Sequence, residues 1–330
     1  MIRKERIRNE KRRRTVIAAF CLFYALLLIS PSSAFPQEKR DKDISYDVEV
    51  SAITIAVTVQ DGKGRFINDL EQEDFSIFEN DEKRDLTYFQ HDFEAPLSLT
   101  ILLDVSGSMD LQDKLKESKE ALRYLINYVF HSRDEFSLLI FADGDVEVAS
   151  KFTKNKADLL SILHQTEAYG QTALNDAVAV SPEFANKGSN EKRALLLITD
   201  GIENDSQYSH DQAIEIARRV DIPIYTIAYK IPLSAQFLKK YKHSPALTPS
   251  NIIYSLDRFS KATGGEAFFI NTVNEMRSAF RQIKRELSHY YILGYTSHTN
   301  TSQEYRKIKV TTSSKRHKVR TREGYYSGEK

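Results

Sequence analysis

Three oxygen-bearing side chains at alternate positions, Asp104, Ser106 and Ser108, directly follow an apolar run at residues 97–103. Carboxylate and hydroxyl oxygens are hard ligands, which favour Mg²⁺, Mn²⁺ or Ca²⁺ over zinc or copper. The same pattern also fits a helix start, because Asp and Ser accept hydrogen bonds from the free amides there. Taken alone, the three residues therefore indicate either a cation site or a helix cap.

Two further segments carry oxygen ligands in comparable positions. Thr172 follows Gly170-Gln171 just before a predicted helix, and Asp200 follows the apolar run at residues 193–199. In open α/β sheets, ligands bind beyond the carboxyl ends of the strands, where such loops meet. Capping does not explain three converging loops, so the five residues together predict a metal site. We expect Mg²⁺ there, with Mn²⁺ or Ca²⁺ also possible.

The elements that position these residues alternate between strand and helix over residues 96–288. Apolar runs of strand length predict a parallel sheet that is buried on both faces. The turn Asp143-Gly144-Asp145 predicts a hairpin, whose second strand lies antiparallel at the sheet edge. Residues 230–251, with three prolines, predict an inserted surface loop. The expected strands are 97–103, 135–141, 146–151, 193–199, 223–229 and 266–270, and the expected helices are 111–130, 156–164, 172–184, 209–220, 254–263 and 273–287.

Both flanks of this region have the two-residue alternation of half-buried strands. Residues 46–93 predict short strands at 46–59, 75–78 and 86–89, and residues 289–326 predict three more at 290–295, 305–311 and 317–322. Both ends could form one β-sandwich-like module around the inserted domain, or two separate sheets. The predicted fold class is therefore α/β, with a doubly wound, mostly parallel sheet, one antiparallel edge strand and a β module from the flanks.

The amino-terminal residues have the pattern of an export signal. Residues 1–14 are rich in Lys and Arg, residues 16–29 carry no charge, and Pro31-Ser32-Ser33-Ala34 offers a small-residue cleavage site. This predicts a signal peptide at residues 1–34 and a polar linker at 35–45. An uncleaved membrane anchor is the alternative, although the run is shorter than about 18 residues. Either way, we expect a secreted, periplasmic or other cell-envelope location.

Charge and cysteine content exclude several classes of protein. Of the 47 basic and 46 acidic residues, eight basic and two acidic ones lie in residues 1–34, so the remainder is acidic overall. We therefore expect no nucleic-acid partner, and a membrane contact only through an uncleaved anchor. Cys21 is the only cysteine and lies within the predicted signal. Disulfides and cysteine-based zinc sites are thus not expected in the mature chain.

The five predicted ligands resemble the metal-ion-dependent adhesion site of von Willebrand factor A domains. The flanks resemble those of bacterial proteins related to this family, in residues 57–64, Asp74-Phe75-x-x-Phe78-Glu79 and Tyr291-Ile292-Leu293-Gly294-Tyr295. The resemblance implies that Ser106, Ser108 and Thr172 coordinate the ion directly. It also implies that Asp104 and Asp200 act mostly through water. The implied function is an exported protein-binding or adhesion module, whose ion completes its coordination with an Asp or Glu of a partner protein.

Two other functions compete with this interpretation. The chain could be a structural envelope protein whose ion only stiffens the loops. It could also be a metal-assisted hydrolase that uses Asp104 or Ser106. No His or Lys is placed as a general base, and no Gly-x-Ser-x-Gly elbow surrounds either serine. We therefore predict no catalytic residue, no organic cofactor and no enzyme activity.

Several other groups have both a functional and a structural interpretation. Asp110 and Asp113 could form a second cation site, but acids in a first helical turn are the simpler explanation. Residues 203–205 could border the ion site or form a solvated loop. The basic strands at 306–309 and 315–322 are predicted to present solvated faces, as edge strands often do. Tyr290, Tyr291, Tyr325 and Tyr326 are predicted to belong to the sandwich core rather than to a stacking platform.

Overall fold

The computed structural model describes residues 49–91, 95–232, 248–299 and 304–327. The predicted signal peptide and linker, and most of the predicted 230–251 loop, lie outside the described residues. No helix in the described part of the chain is both long enough and apolar enough to span a membrane.

The central sheet contains six strands in the order β10-β9-β8-β5-β6-β7. All neighbours are parallel except β6 and β7, which form the predicted antiparallel hairpin at one edge. Every residue of β5 and β6 is buried, which explains why these strands are apolar almost throughout. The predicted fold class is confirmed. The bounds are β5 Leu97–Asp104, β6 Glu135–Ala142, β7 Asp145–Thr153, β8 Lys192–Thr199, β9 Ile224–Tyr229 and β10 Ala267–Ile270.

Helices cover both faces of this sheet, and the sheet separates two hydrophobic cores, one on each face. Successive side chains of β5 alternate between the two cores: Ile101 and Leu103 pack in the first, and Leu102 packs in the second. This alternation follows from the two-residue period of a strand. The helices are α1 Gly107–Asp110, α2 Lys114–Tyr124, α3 Lys156–Gln165, α4 Leu174–Ala185, α5 His210–Ala217, α6 Pro249–Thr263 and α7 Val273–Ser288.

The two flanks form two antiparallel sheets of four strands each, in the orders β13-β1-β11-β4 and β14-β12-β2-β3. Each sheet contains strands from both ends of the chain. Ile55 and Leu293 of one sheet and Ile77 and Val310 of the other belong to a single buried core. Both ends therefore build one β module. Its strands are β1 Glu49–Gln60, β2 Phe75–Glu79, β3 Glu82–Arg84, β4 Leu86–Gln90, β11 Tyr290–Thr299, β12 Tyr305–Thr312, β13 Lys318–Arg320 and β14 Gly324–Tyr326.

Two helix predictions were wrong at their ends. The predicted helix at 111–130 is interrupted, because a 3₁₀ turn at Leu111–Asp113 separates α1 from α2 and a π-helical turn at Leu125–Val129 follows α2. Helix α6 begins at Pro249, inside the predicted loop, because the Thr248 side chain accepts a hydrogen bond from the Asn251 amide and proline suits the first helical turn.

The prediction of solvated basic strand faces was also wrong for two arginines. Arg306 is buried and pairs with Glu79 at 3.0 Å, inside the β module. Arg320 lies against Glu266, at 2.8 Å, and against the buried Glu286. Both guanidinium groups neutralise carboxylates that the packing has removed from water. The alternation of the strand at Tyr305–Thr312 places Arg306 on the same face as the buried Ile308 and Val310, but it does not show the carboxylate that pairs with it. As predicted, Tyr291 and Tyr325 belong to the core of the module, whereas Tyr290 packs in the first core beside the central sheet and Tyr326 is half-buried.

Candidate metal site

The sheet topology brings Asp104 and Asp200 to the same edge. Asp104 is the last residue of β5, and Asp200 directly follows β8. The two strands are parallel neighbours, with Leu103 opposite Ile198. Both carboxylates are fully buried. Two of the five predicted ligands therefore lie side by side at the carboxyl edge of the sheet, as the sequence predicts.

The loop after β5 holds the two serines close together. The hydroxyl oxygens of Ser106 and Ser108 are 3.1 Å apart, with Ser106 buried and Ser108 partly exposed. Ser106 occupies the N-cap position of α1, but its side chain accepts no hydrogen bond from a helix amide. The cap interpretation therefore does not account for this serine.

The third loop, which carries Thr172, is tied to the first by backbone hydrogen bonds. The Gly107 amide donates to the Gly170 carbonyl at 3.0 Å, and the Tyr169 amide donates to the Val105 carbonyl at 2.8 Å. Gly170 has a φ of +65°, and an added Cβ would lie 2.1 Å from the Asp143 carboxyl carbon, so this close approach requires glycine. Thr172, two residues after Gly170, is buried.

The loop after Asp200 is tied to Thr172 in turn. The Thr172 carbonyl accepts from the amides of Asn204 and Asp205 at 3.1 Å each, and its amide donates to the Asn204 side chain at 2.9 Å. Glu203 accepts from the Asn175 amide at 2.9 Å. Residues 203–205 therefore hold the loop around Thr172 through hydrogen bonds, so the interpretation as a solvated loop does not describe them. The three loops are held together by direct contacts between protein groups.

Both buried carboxylates accept hydrogen bonds from the loops around them. Asp104 accepts from the Ser106 amide at 2.9 Å and from the Thr199 hydroxyl at 2.6 Å. Asp200 accepts from the Ile202 amide at 3.1 Å. Burial, together with the negative charge of Asp200, raises the pKa of Asp104 to about 7. A nearby positive charge would stabilise the ionised form of Asp104.

Lys114 supplies a positive charge at this site, a placement that was not predicted from the sequence. Its Nζ lies 2.6 Å from Asp200 Oδ2 and 3.2 Å from the Ser108 carbonyl oxygen, and the residue is only 3% exposed. The sequence contains a weak signal for this placement. Lys114 lies one turn before the buried Ser118, on the face of α2 that also buries Leu122.

The donor set fits a hard divalent cation in chemistry. Within the described residues there is no group of three His, Cys, Asp or Glu that could hold a metal ion. An ion at this edge would therefore depend on hydroxyl oxygens as well as on Asp104 and Asp200. The Ser106 and Ser108 hydroxyls lie close enough to each other to contact one ion together. The positive charge of Lys114, which contacts Asp200, is unfavourable for cation binding at this site.

The alternative of a second cation site at Asp110 and Asp113 finds no support, and Asp110 lies in the first turn of α1, as the simpler interpretation predicts. Both residues are exposed, and Asp113 lies 3.5 Å from Lys116 in an ion pair between exposed side chains. Asp113 occupies the N-cap position of α2 in a left-handed conformation, and its side chain caps no amide.

Comparison with known proteins finds a family match for part of the chain. The family model described as "von Willebrand factor type A domain" matches residues 99–203, which include all five predicted ligands. Two curated relatives are each described as an uncharacterized protein. One, from Borreliella burgdorferi, is 27% identical over 158 residues, covering 45% of this chain and 44% of the relative. The other, from Synechocystis, is 30% identical over 113 residues, covering 34% and 26%. The chain thus spans less than half the length of these relatives.

Several solved structures are similar at low identity. The von Willebrand factor type A protein from Catenulispora acidiphila has a TM-score of 0.48 and 13% identity, covering 77% of this chain and 73% of its own. The conserved hypothetical protein BatB from Bacteroides thetaiotaomicron has a TM-score of 0.44 and 19% identity, covering 58% and 97%. The vWF domain of the type V pili tip protein Mfa5 from Porphyromonas gingivalis has a TM-score of 0.45 and 11% identity, covering 58% and 94%. Similarity at these levels does not identify the ligands of this chain.

Proposed function

Because residues 99–203 belong to a von Willebrand factor type A domain, we propose that the chain is a cation-dependent protein-binding module. Its binding site would be the sheet edge at Asp104, Ser106, Ser108, Thr172 and Asp200. The partner would be a protein that presents an Asp or Glu side chain. Mg²⁺ is the expected ion, with Mn²⁺ or Ca²⁺ as substitutes.

The strongest support is the pair of serine hydroxyls beside two buried carboxylates. Ser106 and Ser108 lie 3.1 Å apart, and Ser106 does not cap the helix that follows it. Buried carboxylates without sufficient positive charge are costly, so a site with Asp104 and Asp200 together favours cation binding. A purely stiffening role for the ion is less well supported, because direct backbone hydrogen bonds already join the three loops.

The family resemblance implies that the five residues contact the ion in two different ways. Ser106, Ser108 and Thr172 would hold the ion directly, while Asp104 and Asp200 would act mostly through water. When bound, the ion would supply an electrophilic coordination position that a carboxylate of the partner can fill. Ser108 is partly exposed, and Gly170 and Gln171 next to the site are exposed, so the edge is open to solvent.

We also propose that the domain functions outside the cytoplasm. The support is the sequence of residues 1–34, with its basic start, its uncharged run and its small residues before Phe35. An exported binding module would meet its partner at the cell envelope or beyond it.

The experiment for the proposed function is capture of a partner from the native envelope fraction by the immobilised protein. We expect capture in Mg²⁺, loss of capture in EDTA, and loss of capture in Mg²⁺ for the double variant Ser106→Ala/Ser108→Ala. The serine variant is preferred to Asp200→Ala, because Asp200 also neutralises the buried Lys114.

The matched control is Ser161→Ala, at an exposed position on α3, which should capture the partner as the wild type does. Thermal unfolding in EDTA should show that the double variant is folded. Equal capture by the wild type in Mg²⁺ and in EDTA would contradict the proposed function, as would equal capture by the double variant.

A further inference from the structure

The ammonium group of Lys114 lies inside the candidate metal site, in contact with one of its carboxylates. We propose that Lys114 is a built-in competitor of the divalent cation, which lowers the cation affinity of the site and so makes occupancy depend on cation concentration. This inference rests on the cation site of the proposed function, but it concerns a residue that the five-ligand pattern does not include.

The contacts of Lys114 place it between two of the loops that form the site. Nζ donates to Asp200 Oδ2 at 2.6 Å and to the carbonyl oxygen of Ser108 at 3.2 Å. The first contact uses an oxygen of a predicted ligand, and the second uses the backbone of another. The ion pair is buried, with exposed side-chain fractions of 3% for Lys114 and 0% for Asp200. A lysine is almost never buried to this extent unless it is paired.

The backbone before Lys114 adopts an unfavourable conformation that accompanies this placement. Gln112 and Asp113 have φ values of 59° and 57°, so two consecutive residues other than glycine are left-handed. This conformation is disfavoured by contact between Cβ and the following carbonyl oxygen. Helix capping does not account for it, because the Asp113 side chain makes no cap hydrogen bond. The Gln112 carbonyl accepts from Lys230 Nζ at 3.1 Å, which holds the turn in place from the end of β9.

The charge balance explains why Lys114 should weaken cation binding. The site has two buried carboxylates, Asp104 and Asp200. The single positive charge of Lys114 is paired with Asp200. A divalent ion that enters the site must share Asp200 with the ammonium or displace it, and the two positive charges repel each other strongly in a site with little water. Without Lys114, both carboxylates would be available to the ion.

The test is Mn²⁺ binding, measured by isothermal titration calorimetry on the full chain. We expect Lys114→Met to bind Mn²⁺ at least about tenfold more tightly than the wild type, because methionine keeps the length of the side chain and removes its charge. Lys114→Arg, which keeps the charge, should stay within about threefold of the wild type. The matched control is Lys116→Met, because Lys116 lies two residues away with a side chain that is 82% exposed. It should bind as the wild type does.

Thermal unfolding provides a second measurement that does not depend on the titration. Lys114→Met should unfold at a lower temperature than the wild type in EDTA, since Asp200 then lacks its partner, and Mn²⁺ should raise its Tm by more than it raises that of the wild type. Lys114→Gln serves the same purpose if the methionine variant does not fold in EDTA.

A Lys114→Met protein that is less stable, but binds Mn²⁺ no more tightly than the wild type, would overturn the inference and assign Lys114 a purely structural role. Absence of Mn²⁺ binding by both uncharged variants would overturn it as well. Failure of the proposed function gives a different result, namely partner capture that is insensitive to EDTA while the difference in Mn²⁺ affinity persists.

Discussion

Glu79→Gln is expected to lower the free energy of unfolding by about 3–5 kcal/mol, the largest effect of a single substitution that we predict. Glu79 is 1% exposed, at the end of β2, within the core of the β module. Glutamine keeps the size of the side chain but removes the charge that Arg306 requires at 3.0 Å. Removing one partner of a buried ion pair leaves the other charge uncompensated.

Five donors surround this carboxylate, which explains the expected size of the effect. Tyr295 and Tyr325 both donate to Oε2 at 2.8 Å. Three groups donate to Oε1: Ser297 at 2.9 Å, Arg306 at 3.0 Å and Arg84 at 3.2 Å. These donors come from strands of both sheets, so the carboxylate joins the two sheets of the module. A glutamine amide presents two hydrogen atoms in place of one acceptor and cannot satisfy the same set.

Urea unfolding at pH 7 measures the effect. The matched control is Glu82→Gln on the adjacent strand β3, where the side chain is 72% exposed and the pair with Arg84 is a surface pair. That substitution should cost less than about 1 kcal/mol. A loss below about 1 kcal/mol for Glu79→Gln would show that the buried network does not stabilise the module as described.

The same carboxylate predicts a pH dependence of stability. Burial alone would raise the pKa of Glu79, but hydrogen bonds from Tyr325, Tyr295 and Ser297 outweigh it and hold the pKa below the ordinary value of 4.5. A group whose pKa is lowered on folding stabilises the protein above its unfolded pKa and loses that contribution as the pH falls through the folded pKa. The difference in stability between wild type and Glu79→Gln should therefore shrink as the pH is lowered below 4.5. Urea unfolding of both proteins from neutral pH down to acid measures it, and a constant or growing difference would contradict the assignment.

The second large effect is expected for Asp200→Ala, at about 3 kcal/mol of unfolding free energy in EDTA. The substitution leaves the Lys114 ammonium buried without its carboxylate, which lies 2.6 Å away. Part of the loss is offset because the repulsion between Asp200 and Asp104 is relieved, so we place the value at the lower end of the range for broken buried pairs.

A double-mutant cycle separates the ion pair from other effects of the alanine. Lys114→Met/Asp200→Ala should cost less than the sum of the two single substitutions, because the partners no longer leave each other unpaired. Asp211→Ala, at a side chain that is 98% exposed, is the control for aspartate removal. Additive losses would show that the contact between Lys114 and Asp200 contributes nothing. The result also bears on functional tests, since a destabilised Asp200 variant could lose partner capture without any change in ion coordination.

The fold could be predicted from the sequence because its strongest signals are local. The apolar run at 97–103 became β5, Leu97–Asp104, and the Asp143-Gly144-Asp145 turn became the hairpin between β6 and β7. The alternation in both flanks predicted strands, and the topology then required Asp104 and Asp200 to lie at one edge. The placement of Asp104, Ser106, Ser108 and Asp200 follows from the same reasoning, because parallel strands bring their following loops together. Thr172 lies between α3 and α4 instead, and backbone hydrogen bonds join its loop to the one after β5.

The features that the sequence did not predict depend on contacts between distant residues. Lys114 and Asp200 are 86 positions apart, and Arg306 and Glu79 are 227 apart. Arg306 lies on the same face of its strand as the buried Ile308 and Val310, and Lys114 lies on the face of α2 that buries Ser118. These patterns place both side chains inward, but only the tertiary packing shows which carboxylate pairs with each. The break between α1 and α2 was missed for a related reason, since Gln112 and Asp113 carry no glycine signal for their left-handed conformation.

Calorimetric titration with Mn²⁺ of the wild type and of Ser106→Ala/Ser108→Ala tests the proposed cation site most directly. We expect the wild type to bind a single Mn²⁺ per chain, and the double variant to bind at least about tenfold more weakly while remaining folded in EDTA. The support is that the serine hydroxyls lie 3.1 Å apart beside the two buried carboxylates, and that Ser106 caps no helix amide. Equal Mn²⁺ affinity for both proteins, or no binding by the wild type, would contradict the assignment of this sheet edge as a cation site.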